Sequence, residues 1–199
     1  MKSNICKIND GVKDLDAILK ECEKFAEYNA FEKKQALHLR LLCEEIDGLL
    51  PNILGDFAGD FWIEYQDGVC KINVSIEFFD FSVEKKKELI KIAKNKKNSA
   101  VNGIVARIRS AIEDFFLDGG DVRDYEMLDN SYFAIENTDG VNYYSIIWNL
   151  KQHKKMVQQK KNEDDWDELE KSIIASIADD ITVGVKGRRA NIVIIKKFA

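Results

Sequence analysis

The chain has 199 residues, 45% of them apolar, with thirty-five Asp and Glu against thirty Lys and Arg for a net charge of −5. That composition suits one ordinary globular domain with a sizeable core, and the acidic balance argues against a general affinity for nucleic acid or anionic membrane. No apolar run is long enough to span a bilayer and the first ten residues hold no apolar signal region, so the expectation is a cytoplasmic protein, neither exported nor embedded. Cys6, Cys22, Cys43 and Cys70 form no C-x-x-C pair, and two of them fall on predicted apolar faces, as reduced core cysteines do.

Residues 14–28 predict a first helix, because Leu15, Ile18, Leu19, Cys22, Phe25 and Ala26 recur at three- and four-residue steps. A short connection through Asn29 and Phe31 leads to a second, central helix with a broad apolar face that includes Leu39, Leu42, Cys43 and Ile46. Beside that face runs a stripe of His38, Leu41, Glu45 and Gly48, in which Glu45 is the only acid. Glu44 points about 100° away from Glu45, which makes a paired-carboxylate site there unfavourable and leaves Glu44 as a solvated residue. Pro51 ends or kinks the helix, and Gly55 and Gly59 close the segment.

Asp67-Gly68 suits a two-residue type I′ turn. Its register sets Tyr65 against Cys70, Ile63 against Ile72, Phe61 against Val74 and Glu64 against Lys71, giving a hairpin with one face on a core and one toward water. After Phe81 a short, strongly basic helix is predicted from about Val83 to Ala93, with Ser82 as N-cap, leading into Asn95-Lys96-Lys97-Asn98-Ser99, read either as a solvated face and loop or as a lid over a phosphate-bearing ligand. A further helix is predicted from about Ser99 to Phe116, with Gly103 in its first turns.

The next fifty residues read as an insertion. Tyr132 to Glu136 and Val141 to Trp148 suit a second hairpin, and Asn149-Leu150-Lys151-Gln152 resembles a capping box opening a charged helix to about Lys160. His153 on that helix, amid lysines and without a second ligand at metal spacing, reads as a surface residue. Trp166, Leu169, Ile173 and Ile177 predict the stripe of a last helix. The strands 181–185 and 191–195 then form a terminal hairpin whose second member, apolar on both faces, should be interior.

These elements predict an α+β two-layer sandwich, a mixed but mostly antiparallel sheet with helices packed on one face. The run Leu39-Arg40-Leu41-Leu42-Cys43-Glu44-Glu45 followed by the hairpin of Phe61 to Ile76 resembles the histidine-kinase-like ATPase superfamily (Bergerat fold), nearest to the anti-sigma-factor serine kinases. The resemblance covers roughly residues 12–117 and 166–198 and implies one such domain over 1–199, with an insertion at about 119–164. It further implies that Glu45 stands where the family's water-activating glutamate stands, that Asp80 reads adenine, and that Lys97, Asn98, Ser99 and Gly103 lie near the phosphates of ATP or ADP.

The family's magnesium-holding Asn would fall at Leu49, or at Gly48 if Glu44 is the glutamate, and neither ligates a hard cation; Asn52 is the nearby substitute. The adenine motif reads Phe79-Asp80-Phe81-Ser82-Val83 without the family's glycines, and the phosphate glycines shrink to Gly103. Two expectations follow. One is a nucleotide-binding regulator of anti-sigma-kinase type, with at most degenerate serine kinase or ATPase activity and no metal ligand set. The other is a pseudoenzyme that keeps the fold and binds a regulatory protein through the insertion from Gly119 to Asp164.

Overall fold

The computed structural model describes residues 1–9, 15–49, 56–79, 104–117, 132–137, 140–160 and 172–198. Its elements in chain order are β1 (Cys6–Asn9), α1 (Leu15–Tyr28), α2 (Lys33–Leu49), β2 (Phe57–Gln66), β3 (Val69–Phe78), α3 (Ile104–Leu117), β4 (Tyr132–Asn137), β5 (Gly140–Asn149), α4 (Leu150–Lys160), α5 (Ile173–Ile177), β6 (Asp180–Lys186) and β7 (Arg189–Lys197). The seven strands make one sheet in the order β1-β2-β3-β7-β6-β5-β4.

The architecture is α+β, but the sheet is not mixed: every pairing among the described residues is antiparallel. Three tight hairpins supply half of those pairings, and β7 returns along β3 in the opposite sense. The expected register of β2 and β3 is found residue for residue, with Asp67 at φ 49° and Gly68 at φ 78° forming the turn. The strand that is apolar on both faces, β7, lies between β3 and β6.

The segment expected as an insertion contributes β4 and β5, which extend the same sheet beside β6 past an irregularity at Ile146 and Trp148. The strand β1 had no counterpart in the sequence reading; it is four residues long and buries only Ile8. Gly59 does not end the segment before β2 but lies within that strand. A Cβ there would come 2.2 Å from the carbonyl oxygen of Ser75 on β3, so the close approach of the two backbones excludes a side chain.

The core lies between the sheet and the helices. Leu39, Leu42, Cys43 and Ile46 of α2 are buried in one cluster with Ile18 and Phe25 of α1 and with the inward residues of β2, β3, β6 and β7. α2 is the hub, touching α1, α3 and α5. Leu42 is 0% exposed, and burial of such a side chain contributes about 1.5–3 kcal/mol. The opposite face of the sheet is not simply wet: Trp62, Tyr144 and Val193 form a second small cluster there, and Asn73 and Asn191 are buried.

Two cysteines depart from the expectation of separate reduced thiols. Cys22 and Cys43 pair as a disulfide across α1 and α2, their Cα atoms 7.3 Å apart, while Cys6 and Cys70 are not part of a disulfide. His153 is also not a surface residue: at 7% exposure it lies against Trp148, ring centroids 5.7 Å apart, because α4 folds back onto β5 and β6. In the last helix Ile173 is 45% exposed, whereas Ile174 and Ala175 are buried. Ser172 caps this helix, its hydroxyl accepting from the Ala175 amide, and Trp166 and Leu169 of the expected stripe lie outside the described residues.

Candidate functional site

α2 positions the one predicted site residue whose side chain is described. Phe31, just ahead of the helix, makes edge contacts with Tyr65 and Phe198 at 4.8 and 4.9 Å between ring centroids, which fixes the start of α2 at the turn end of the β2–β3 hairpin. At about 1.5 Å per residue the helix then extends roughly 25 Å from that point. Glu45 belongs to the C-terminal half of that helix, and β3 ends at Phe78.

Glu44 and Glu45 differ in surroundings as the helical wheel requires. Glu44 is exposed and accepts a hydrogen bond from Arg40 Nε at 3.0 Å, while Arg40 Nη1 reaches Glu23 on α1 at 2.6 Å. Glu45 is half-buried, and its carboxyl is pushed above the usual carboxylate range, first by burial and then by the neighbouring Glu44 charge. A carboxyl in that state is a better proton acceptor than an exposed one, which is what a water-activating base needs.

Two turns earlier, His38 is held below its ordinary value by burial and by the Lys196 and Lys34 charges, so its imidazole is neutral at pH 7. Burial pushes the Cys70 thiol up to about 12, which keeps it protonated and unreactive.

Asp80, Lys97, Asn98, Ser99 and Gly103 lie outside the described residues, as do Asn52 and the side chains at positions 48 and 49. The predicted nucleotide group is therefore represented by Glu45 alone. Among the described residues no group of three or more His, Cys, Asp and Glu is placed to hold a metal ion. No helix among them is long and apolar enough to cross a membrane.

A second arrangement, absent from the sequence reading, lies on the sheet face away from α2. Lys7, Asp60, Trp62, Ser75, Glu77 and Arg189 line a cavity of about 330 Å³ there. The Asp67-Gly68 turn already sets Asp60 opposite Ser75, so that part was readable. The contributions of β1 and β7 depend on long-range pairing and were not.

Comparison of the chain with family models, with curated proteins and with solved structures finds no match. The site must therefore be argued from its own chemistry.

Proposed function

We propose that this protein is a nucleotide-binding regulator of the anti-sigma-factor kinase-like type, binding ATP or ADP without efficient metal-dependent phosphoryl transfer. The observation that carries the reading is the half-buried Glu45 carboxyl, raised by desolvation, on the central helix of an α+β sandwich. The order of elements supports it: two helices, a hairpin, a further helix and a terminal hairpin follow one another as the resemblance requires. Leu49 in place of a magnesium-ligating Asn argues for binding over catalysis. In this reading the protein works in the cytoplasm, where Cys22 and Cys43 would be kept as thiols and their disulfide is the oxidised form.

A second reading is a pseudoenzyme that engages a regulatory protein. It is favoured by the placement of β4 as the last strand in the sheet order, since a terminal strand is a surface on which another chain can pair.

Calorimetry with ATP and ADP, with and without magnesium, separates the two. Saturable binding lost in Asp80→Asn supports the nucleotide reading, and Glu45→Ala should bind nucleotide still while losing any residual turnover. Absence of binding at about 1 mM nucleotide, a weak affinity by any standard, would leave the interaction module.

A further inference from the structure

A groove of about 280 Å³ opens to solvent between α1 and α2. Its floor is apolar, made by Cys22, Ala26, Phe31 and Ala36, and its rim carries Glu27 and Arg40. The groove reaches one half of the Cys22–Cys43 disulfide: Cys22 belongs to the lining at 1% exposure, whereas Cys43 is 0% exposed and takes no part in it. The two sulfurs are therefore not equivalent. In thiol–disulfide exchange a thiolate attacks one sulfur and the other leaves. Approach through the groove meets Cys22 and makes Cys43 the leaving sulfur. Two of the lining side chains, Ala26 and Ala36, are single methyl groups, and the low exposure of Cys22 admits only a small attacker.

The packing of α1 on α2 does not depend on the bond. Ile18 and Phe25 share a buried cluster with Leu39, Leu42 and Ile46, and Arg40 Nη1 reaches Glu23 at 2.6 Å. Dithiol and disulfide are both compatible with one fold, as a reversible site requires. The rim also selects charge. Arg40 is taken up by Glu23 and Glu44, at 2.6 and 3.0 Å, so Glu27 is the rim carboxylate left without an ion pair among the described residues. It attracts an ammonium and repels an anionic thiol.

We propose that this groove is an exchange site for small cationic aminothiols, with Glu27 holding the ammonium and Cys22 the sulfur that is attacked. The incoming thiolate bonds to Cys22 Sγ, and the bond to Cys43 breaks with its electron pair on Cys43 Sγ, which takes up the proton the attacking thiol gave to solvent. A second aminothiol attacks the small-molecule sulfur of the mixed disulfide, releasing Cys22 as a thiol and the aminothiol as its own disulfide. The two aminothiols supply the two electrons that reduce the protein, and the reverse sequence closes the bond. The proposal is independent of nucleotide binding.

The test measures reduction of the Cys22–Cys43 bond in the full chain by cysteamine, 2-mercaptoethanol and mercaptoacetate at equal thiolate concentration. Each rate is divided by that of the urea-unfolded chain, which removes the thiol's intrinsic reactivity. Expected is the order cysteamine, mercaptoethanol, mercaptoacetate, with Glu27→Gln slowing cysteamine alone by about two- to fivefold. In about 1 M salt, where charges are screened beyond about 3 Å, the order should collapse. Treated with cystamine and mapped by peptide, Cys43→Ser should form its mixed disulfide at Cys22 at least about tenfold faster than Cys22→Ser forms one at Cys43. Equal rates at the two sulfurs would overturn the proposal, as would indifference to Glu27→Gln or exchange no faster than global unfolding. A chain that stays a dithiol in excess cystamine would overturn it too. Because Glu27 is exposed, its variant decides the matter even if the cysteine variants fail to fold.

Discussion

Glu45 titrates against the stability of the fold. Its ordinary value is 4.5, and its folded value lies above that, so between the two the native state holds the proton that the unfolded chain has released. The favourable contribution is complete below the ordinary value and is lost as pH rises through the folded one. Glu45→Gln should therefore stabilise the protein at pH 7 by a few tenths of a kcal/mol, a small figure because solvent screens a half-buried group, and should change nothing near about pH 4. Urea melts at the two pH values check this, and an equal effect at both would exclude a titration origin. Gly59 is a second single-residue test. Gly59→Ala drives a methyl group into the Ser75 carbonyl and should cost about 1–3 kcal/mol, read as a lower denaturation midpoint at unchanged slope.

At the scale of elements, α2 carries the core and α1 is tied to it. Leu42→Ala, at a site with no exposure, should destabilise by about 2–5 kcal/mol, whereas Leu37→Ala on the exposed side of the same helix should stay within about 0.5 kcal/mol. Thiol titration of the unfolded, unreduced protein should return two thiols, those of Cys6 and Cys70, and all four only after reduction. Four at the outset would show the Cys22 and Cys43 sulfurs to be unbonded neighbours.

The elements also show where sequence periodicity succeeds and where it fails. The β2–β3 register was legible because Asp67-Gly68 admits one turn type and a one-residue slip would move every apolar side chain to the other face. The α5 stripe holds only in part among the described residues: Ile177 packs against the core, whereas Ile173, directly after the Ser172 N-cap, is 45% exposed.

For the whole molecule the question is whether the segment from 119 to 164 is an appendage. β5 pairs with β6, and α4 is anchored to that strand by Asn149, which accepts from the Gln152 amide and donates to Asp180 and Thr182. Replacing 119–164 by a short linker should therefore abolish cooperative unfolding, because it uncovers the edge of β6 and removes Leu150 and Val157 from the core. A cooperative transition with an unchanged midpoint would show the segment to be dispensable. By itself the sequence determined what is local: the buried faces of α1 and α2, the Asp67-Gly68 turn, the β2–β3 register and the contrast between Glu44 and Glu45. Tertiary structure alone decided the pairing of β1 with β2 and β7 with β3, the burial of His153 and the unpartnered amide of Asn191. The reason is physical. Periodicity and turn chemistry are read within a few residues, whereas strand partners distant in sequence are selected by the burial of the whole sheet, which no short window of the chain contains.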